Sequence, residues 1–469
     1  MKRIPAVLLL VLVTMAAYWA SFPGTFHYDD FPLLLESPRV TGASFDYGSF
    51  AQMYGGRPLT LWSFFLQYRL SGADPAAFHA VNVLLHALVG ILLFLVVRRW
   101  SGSDGLALGT ALIFLVHPAQ AQVVDYVWAR SLLLMSAFGL AAILLVQRHP
   151  WWALLALQLA VWSRAEALVL LVPLILLDRR ILKPGLALAG LDIAGFVYGF
   201  VLASPVEFAW TYTGWVAFWL RAPVILFQYL GWMIGPSRFS VYHGPSSVSP
   251  IHVLVGAGAL AGLAVATLIA GRRFAPAWLG IGWACLLLLP SVLVPNSEPF
   301  SESRAYLALA GPAWTGVWLM RHAVLRLGKG LSVSVLRRGL EPALLTLFVL
   351  AGLTMTQSRH RVWQDDVALW REAAAAEPAA DLAAYNLAVA LSKRGRTEEA
   401  CRYFARAVDL NPLDDMSYSG LGYCAEVNGQ ISQAAEYYSH ALSLNAGSDY
   451  AREALSRLGS NPDQGGAKP

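Results

Sequence analysis

A succession of apolar stretches separated by short clusters of basic residues constrains this chain more than any other feature. After an N-terminal stretch at 1–20, the stretches fall at about 79–97, 106–122, 131–146, 151–162, 166–177, 185–204, 251–271, 276–294, 305–320 and 342–356. Most approach the roughly 20 residues that a membrane-spanning helix needs. Only 13% of the residues are charged, whereas soluble domains carry about 25%. The sequence therefore predicts an all-α polytopic membrane protein.

The basic clusters predict how the helices are oriented. Cytoplasmic loops carry an excess of Lys and Arg. The clusters are Lys2-Arg3, Arg98-Arg99, Arg179-Arg180, Arg272-Arg273 and the stretch 321–338. A cytoplasmic N-terminus satisfies all five with about eleven spans, provided that 205–236 does not cross and forms an interfacial helix or a re-entrant hairpin instead. Because the basic residues follow this pattern, the net charge of +5 does not indicate nucleic-acid binding.

This orientation places four loops and the C-terminus on the outer face. The loops are 21–78, 117–130, 205–250 and 295–304, and the first is the longest. The N-terminal stretch reads as an uncleaved first helix, because no small-residue cleavage site follows it. The asymmetry of the loops suggests chemistry on the outer face.

The last part of the chain is a predicted tetratricopeptide array. Asp381, Asp415 and Asp449 recur at intervals of 34 residues, which is the tetratricopeptide period. The signature positions are Leu387, Ala388, Gly395, Ala400, Phe404, Ala407 and Pro412, and then Leu421, Gly422, Gly429, Ala434, Tyr438 and Ala441. We predict a membrane domain at 1–358, an array at 359–460 that begins with a half-unit and ends with a capping helix at about 449–458, and a disordered tail at 461–469.

Cysteine usage gives a weaker signal. Cys285 lies in an apolar stretch, and Cys401 and Cys424 fall in the array. We predict that all three are small core residues. A disulfide between Cys401 and Cys424 stays open, because sequence alone cannot test its geometry.

Two adjacent carboxylates follow the first helix. Asp29 and Asp30 repel each other and are costly to desolvate at a membrane surface. The pair reads as a solvated loop cap, as a general base with its partner, or as a cation site.

Six short motifs in colinear order resemble a known family. They are His27-Tyr28-Asp29-Asp30-Phe31-Pro32, Arg57-Pro58-Leu59, the stretch 78–86 with His79, Asn82 and His86, His117-Pro118, Trp128-Ala129-Arg130-Ser131, and Ser303-Arg304-Ala305-Tyr306-Leu307. Together with the array they resemble the transmembrane and tetratricopeptide-repeat O-mannosyltransferases, which are GT-C-fold glycosyltransferases. The array is shorter than is usual in that family, Trp128-Ala129 replaces Val-Gly, and Ala308 replaces a Pro.

The resemblance implies that a sugar, possibly mannose, passes from a polyprenyl-phosphate donor to a hydroxyl on a protein, with inversion. It implies that Asp29 is the base that activates the hydroxyl, with Asp30 as the alternative base or as a residue that orients Asp29. Candidates for donor phosphate or sugar binding are Arg304, Arg57, Arg130, His79, His117, Tyr28 and Glu302. The acceptor is expected in the array groove near Asn386 and Tyr418. No cofactor or metal is implied, although a divalent cation at the acid pair stays an alternative. We predict that Arg164 forms a local ion pair with Glu166 and that His86 packs between helices.

Two other functions remain open. A non-catalytic membrane scaffold would use the array alone, and a transporter of lipid-linked glycans would place charges at mid-membrane. The acids and arginines cluster at the ends of spans, with Asp125 and Asp192 as the nearest exceptions. The Ala-, Leu- and Arg-rich composition suggests a bacterial inner membrane, with the active site and the array in the periplasm.

Overall fold

The computed structural model describes residues 3–45, 57–198, 212–235, 239–243, 251–258, 261–262, 275–294, 298, 300–327 and 334–459. Within these ranges the regular structure is helical throughout, which confirms the all-α prediction. The chain divides into two compact units. The first is Met1–Ser237 with Ser247–Gln364, and the second is Arg238–Ser246 with Asp365–Pro469. The predicted tail at 461–469 lies outside the described residues.

The first unit is built from apolar helices. They are α1 (Arg3–Tyr18), α2 (Pro38–Thr41), α3 (Pro58–Ser71), α4 (Pro75–Ser101), α5 (Asp104–Val116), α6 (Ala121–Asp125), α7 (Arg130–Leu145), α8 (Pro150–Ser163), α9 (Leu171–Leu177), α10 (Leu182–Val197), α11 (Tyr212–Ile234), α12 (Ala275–Leu293), α13 (Ala310–Leu327) and α14 (Ser334–Trp363). Residues 251–258 are helical as well.

Helix α4 forms the centre of this unit. The Asp74 carboxylate accepts a hydrogen bond from the Ala76 amide at 3.1 Å, and Pro75 occupies the first turn. Both features are typical of a helix start. The helix ends at Gly102, whose φ of 65° suits a residue without a Cβ. At Gly90 an added Cβ would lie 2.6 Å from the Leu115 side chain, so α4 and α5 pack too closely for a larger residue.

Three of the basic residues predicted to be cytoplasmic, Arg99, Arg180 and Arg321, lie at one end of the unit. Arg99 donates to the Leu144 carbonyl at 2.6 Å and to Gln147, whose own carbonyl accepts from Arg180 at 3.0 Å. Arg321 donates to Ser103 at 2.6 Å. We call this the basic end. Helix α4 reaches it from the opposite end of the unit, so the two ends lie about 40 Å apart at 1.5 Å per residue.

The structure agrees with the predicted membrane class, but its apolar helices vary more in length and straightness than the predicted spans. Five described helices are long and apolar enough to cross a membrane, or six if the bent pair Asp104–Val116 and Pro118–Asp125 counts as one. That pair bends by 54° where His117-Pro118 interrupts the predicted stretch 106–122. The stretches 151–162 and 166–177 form two short helices with a polar tip between them. The count of eleven spans stays a prediction.

The segment 205–236 requires a correction. A re-entrant hairpin was one expectation, but residues 212–234 form the single helix α11, which passes through Pro223 without a reversal. An isolated Pro inside a helix removes one backbone hydrogen bond without reversing the chain direction. The alternative of an interfacial helix stays a prediction.

The second unit is the array. It contains α15 (Asp366–Ala376), α16 (Asp381–Lys393), α17 (Thr397–Leu410), α18 (Asp415–Val427), α19 (Ile431–Leu444) and α20 (Asp449–Gly459). These helices match the predicted half-unit, two repeats and capping helix. Residues 239–243 join this unit: Val241 and Tyr242 pack against its core, and His243 lies 3.6 Å from Glu377.

Small residues at fixed positions allow the repeat helices to pack closely. A Cβ at Gly422 would lie 2.5 Å from the Tyr438 ring, and a Cβ at Gly420 would overlap the Phe404 ring. Both aromatic side chains are buried. The spacing of glycines and aromatics in the sequence is therefore the direct cause of the helix contacts.

The cysteine prediction is wrong for two of the three residues. Cys401 on α17 and Cys424 on α18 form a disulfide that joins the first repeat to the second, with their Cα atoms 5.8 Å apart. Only Cys285 is free among the cysteines. The two residues lie 23 positions apart in sequence, and only the packing of α17 against α18 brings them together.

Gly420→Ala should loosen the contact between α17 and α18, because the new methyl group would overlap the Phe404 ring. Overpacking of this kind typically costs about 1–3 kcal/mol. Hydrogen–deuterium exchange of the full-length protein should show faster exchange in both helices. The matched control is Gly459→Ala, where a Cβ meets no atom within 4 Å. Equal exchange in the two variants would contradict the packing described here.

Candidate active site

The first outer loop is held in place by the buried carboxylate of Asp30. Its Oδ2 accepts a hydrogen bond from the His27 amide at 2.9 Å, and its Oδ1 accepts from the Trp128 amide at 2.7 Å. The side chain is fully buried, and this burial raises the pKa of Asp30 to about 7. Both oxygens are thus occupied by backbone amides. Asp30 links the loop after α1 to the turn before α7.

Asp29 has the opposite character. It is half-buried, and its Oδ2 accepts a hydrogen bond from the Tyr126 hydroxyl at 2.7 Å. In the described part of the chain no side chain bonds its other oxygen. Burial raises the pKa of Asp29, whereas the Tyr126 hydrogen bond and the charge of Arg57 oppose that rise. Of the two carboxylates, Asp29 is therefore the one available to a reacting group.

Two residues that interact with Asp29 have a strained backbone. Tyr28 has a φ of 42° and Arg57 a φ of 52°, and among the described residues no other non-glycine φ is positive. Residues with side chains rarely adopt this region, at a cost on the order of 1–3 kcal/mol. Tyr28 exposes 42% of its surface. Strain of this kind clusters at functional sites, and here both strained residues interact with Asp29.

Arg57 supplies a cation beside Asp29. It precedes α3, and its guanidinium carbon lies 5.7 Å from the centre of the Trp128 ring. Burial and the neighbouring Arg164 lower the pKa of Arg57 to about 10, while Glu166 and Asp29 act in the opposite direction. The group therefore stays charged at neutral pH. Its guanidinium hydrogen-bonds no acceptor in the described ranges, so its donors remain available to an anion.

The second predicted phosphate ligand, Arg304, lies on the turn that precedes α13. It donates to the Glu298 carbonyl at 2.6 Å. Tyr229 on α11 fixes this turn, because its hydroxyl donates to the Ser301 carbonyl at 3.0 Å and accepts from the Ser301 amide at 2.8 Å. The charge of Glu298 contributes to the raised pKa of Tyr28. The turn therefore lies near Tyr28. Glu302, beside Arg304, is buried.

Arg130 serves the interior of the unit rather than the open side of the site. It is 1% exposed, and it donates to the Asn82 side chain at 2.9 Å and to the Phe78 carbonyl at 3.2 Å. The guanidinium carbon lies 4.5 Å from the centre of the Phe64 ring. These contacts join α3, α4 and α7. Arg130 thus supports the packing of these helices, while its predicted role in donor binding stays a prediction.

The predicted histidines also support the loop. His79 is 1% exposed, and its Nε2 lies 3.2 Å from the Thr25 carbonyl. A Cβ on Gly24 would lie 2.5 Å from that same nitrogen, so only glycine fits above the ring. His117 accepts from the Ala119 amide at 3.3 Å and begins the turn after α5. His79 is therefore packed against the loop, and its predicted role in donor binding stays a prediction, as does that of His117.

Two other sequence interpretations, those of His86 and Arg164, are confirmed. His86 is a packing residue, with its Nδ1 2.7 Å from the Tyr306 hydroxyl and its Nε2 3.1 Å from the Leu115 carbonyl. Arg164 pairs locally with Glu166 at 2.6 Å. The described residues hold no cluster of three His, Cys, Asp or Glu side chains arranged for a metal ion.

Two residues of the site were not identified from the sequence. Tyr126 bonds Asp29, and Trp363 at the end of α14 stacks on Tyr126 with the ring centres 6.0 Å apart. Trp363 also meets the edge of His27 at 5.5 Å. Tyr126 lies between the His-Pro and Trp-Ala-Arg motifs, which was the only available signal. Trp363 is 237 positions from Tyr126 in sequence, so no local pattern relates them.

Asp125 is paired rather than isolated. Its carboxylate bonds the Nδ1 of His360 on α14, and both side chains are buried. The Nε2 of His360 lies 3.0 Å from the Ala17 carbonyl. These contacts join the ends of α1, α6 and α14.

The predicted acceptor-binding residues lie in the array. Asn386 donates to the Leu382 carbonyl of its own helix at 2.9 Å, and Tyr418 packs on the edge of His440 at 4.3 Å. A cavity of about 530 Å³ lies between α18, α19 and α20, and Glu426, Tyr423, Tyr450 and Arg457 contribute to its lining. Acceptor binding near Asn386 and Tyr418 stays a prediction.

Fold and site together define a polytopic helical membrane protein with a carboxylate–arginine site and a tetratricopeptide array. The Tetratricopeptide repeat family matches residues 382–414. The chain is similar to mouse Protein O-mannosyl-transferase TMTC1, at 34% identity over 157 residues that cover 30% of this chain and 17% of that protein. It is similar to mouse TMTC3, at 33% over 150 residues covering 29% and 16%, and to human TMTC4, at 36% over 102 residues covering 19% and 14%.

These matches confirm the resemblance to the transmembrane and tetratricopeptide-repeat O-mannosyltransferases that the motifs indicated. The chain spans less than a fifth of the length of each of these relatives. The reaction, its donor and its acceptor in this protein are therefore matters for proposal.

Asp30→Asn should destabilise the membrane unit, because an amide can accept only one of the two backbone hydrogen bonds. An unsatisfied buried group costs about 1–3 kcal/mol. The raised pKa makes the wild-type carboxyl stabilising below its ordinary value of 3.8, and this contribution is lost as the pH rises through about 7. The thermal midpoint in detergent should therefore decline between pH 4 and 7 in the wild type.

In Asp30→Asn that decline should be smaller, because the group no longer titrates. Glu36→Gln is the matched control, since Glu36 is an exposed carboxyl in the same loop. A pH dependence that is the same in wild type and Asp30→Asn would contradict the assignment.

Proposed function

We propose that this protein transfers a sugar from a polyprenyl-phosphate donor to a hydroxyl group of a protein acceptor. The observation that carries the proposal is the half-buried carboxylate of Asp29, which accepts a hydrogen bond from Tyr126 and is stabilised by the charge of Arg57, whose guanidinium bonds no acceptor among the described residues. A base beside an anion-binding cation is what inverting transfer from a sugar phosphate requires. The names of the relatives support the reaction class.

The proposed step is a single displacement at the anomeric carbon. The acceptor hydroxyl oxygen attacks the anomeric carbon, and Asp29 takes the hydroxyl proton. The bond from the anomeric carbon to the phosphate oxygen breaks, and the phosphate leaves with the electron pair. Attack in line with the leaving group inverts the anomeric centre. Burial strengthens Asp29 as a base because it raises the pKa of the carboxyl, while Arg57 is suited to the developing phosphate charge.

Arg57 is our first choice for the phosphate ligand. Its donors are unused by the described protein, whereas Arg304 already donates to the Glu298 carbonyl. We propose Arg304 as a second ligand because its turn lies near Tyr28. Tyr28 is exposed beside Asp29 and would contact the sugar. Asp30 is a structural carboxylate in this scheme.

We propose that the site and the array share the outer, periplasmic side of a bacterial inner membrane. Three observations support this. The basic end of the first unit is the end farther from Asp29. The array follows directly after Trp363, which contacts the residues around Asp29. The array holds a disulfide, and disulfides persist mainly in oxidising compartments. The array would then hold the acceptor on the same side as the base.

Asp29→Asn should abolish transfer, because an amide cannot take the hydroxyl proton. General-base catalysis contributes about 10²–10⁴-fold, so the rate should fall by at least about 100-fold. The assay supplies purified protein with a panel of labelled polyprenyl-phosphate sugars and a Ser/Thr-containing acceptor. Unchanged binding of the donor separates lost chemistry from misfolding. Glu36→Gln again serves as the control, and full activity of Asp29→Asn would refute the proposed role.

The disulfide predicts the location of the array. Native membranes quenched with a maleimide, then denatured without reductant and labelled with a heavier maleimide, should show one modified cysteine, Cys285. Prior reduction should expose two more, Cys401 and Cys424. The Cys401→Ser/Cys424→Ser variant is the control for the assignment. Three reactive thiols in unreduced membranes would place the array in a reducing compartment and would contradict the proposed topology.

A further inference from the structure

We propose that Tyr126 and Trp363 are positioning residues for Asp29, and that the end of α14 is thereby part of the active site. This inference rests on the proposed function of Asp29. The Tyr126 hydroxyl donates to the Oδ2 of Asp29 at 2.7 Å. The ring of Tyr126 lies nearly parallel to that of Trp363, at 23° with the centres 6.0 Å apart. The indole therefore fixes the plane in which the phenol reaches the carboxylate.

Trp363 is itself immobilised. It is 3% exposed. Besides Tyr126, it contacts the edge of the His27 ring, and the backbone amide of His27 donates to Asp30. One indole thus touches a residue bonded to each of the two acids. A shift of Trp363 would disturb both carboxylates.

The end of α14 is anchored on both sides of Trp363. His360 bonds Asp125 and lies 3.0 Å from the Ala17 carbonyl, and Gln364 donates to the Ala20 carbonyl at 2.6 Å. These contacts tie α14 to the end of α1, from which the loop with Asp29 emerges. The helix end and the loop therefore form one packed structure, with Trp363 in its interior.

The positioning leaves one oxygen of Asp29 available. Tyr126 takes Oδ2, and in the part of the chain that the structure describes no group bonds Oδ1. A base needs one lone pair directed at the incoming proton, and a fixed hydrogen bond on the other oxygen sets that direction. A displaced Tyr126 would leave Asp29 free to rotate, and a misplacement of about 1 Å can cost about 100-fold in rate.

The array begins immediately after this structure. Gln364 is the last residue of the first unit and Asp365 the first of the second. The Asp365 carboxylate accepts from the Val367 amide at 3.1 Å and starts α15. In sequence, only Gln364 separates Trp363 from the first residue of the array.

Tyr126→Phe is the sharpest test, because it removes one hydroxyl and keeps the ring that stacks on Trp363. The titratable and charged groups around Asp29 are Tyr28, Asp30, Arg57 and Tyr126. Loss of the hydroxyl removes the donor that stabilises the carboxylate form. We expect the acidic limb of the kcat/KM profile to move to higher pH and kcat to fall about 10-fold, with the KM for the donor unchanged.

Trp363→Ala should move the profile in the same direction, whereas Trp363→Phe should retain most of the activity because it keeps an aromatic ring against Tyr126. Trp151→Ala is the matched control, since Trp151 on α8 is 71% exposed. Each variant is the full-length protein in detergent, assayed with polyprenyl-phosphate mannose and a Ser/Thr-containing peptide, and its thermal midpoint is recorded.

The possible outcomes separate the two claims. If Asp29→Asn is inactive but Tyr126→Phe keeps both the wild-type profile and kcat, the positioning role is overturned and the proposed function stands. If Tyr126→Phe and Trp363→Ala lower only the thermal midpoint, Tyr126 and Trp363 have a structural role, and their positioning role is also overturned. Full activity of Asp29→Asn would overturn the proposed function and this inference together.

Discussion

Two backbone amides meet on the buried carboxylate of Asp30, and the geometry of the site depends on that contact. The amides belong to His27 and Trp128, which lie about a hundred positions apart in the chain. A buried carboxylate without such donors would be costly, and loop amides without an acceptor would be costly as well. Satisfying both closes the loop after α1 onto the turn before α7. Asp29 and Tyr126 are then brought together as neighbours of these anchors.

Other buried polar side chains of the first unit also have hydrogen-bond partners within the protein. Asp125 pairs with His360, His86 bonds Tyr306, and Arg130 bonds Asn82 between aromatic rings. Each of these groups lies in an apolar unit where water is scarce, so each needs a protein partner. Arg57 differs from these groups. It is also largely enclosed, yet its guanidinium bonds no acceptor among the described residues, which is why we propose it as an anion ligand.

The array follows a different principle. Its helices depend on repeated small and aromatic residues, as where Gly422 faces Tyr438. That pattern is local and periodic, and so half-unit, repeats and cap were all predicted with bounds close to those observed. The disulfide was left open by the sequence, because two cysteines 23 positions apart carry no periodic signal. It became visible only when α17 and α18 were packed.

The sequence by itself determined the all-α membrane class, the repeat array and the identity of the acid pair. Each of these follows from composition, period or a contiguous motif, which are properties of neighbouring residues. Only the tertiary structure decided that Asp29 is open and Asp30 closed, that Arg130 and His79 support the interior, and that Tyr126 and Trp363 belong to the site. The reason is physical: burial and hydrogen-bond partners depend on residues that are distant in the chain. Nothing in the two adjacent aspartates distinguishes them until Trp128 and Tyr126 each bond a different one.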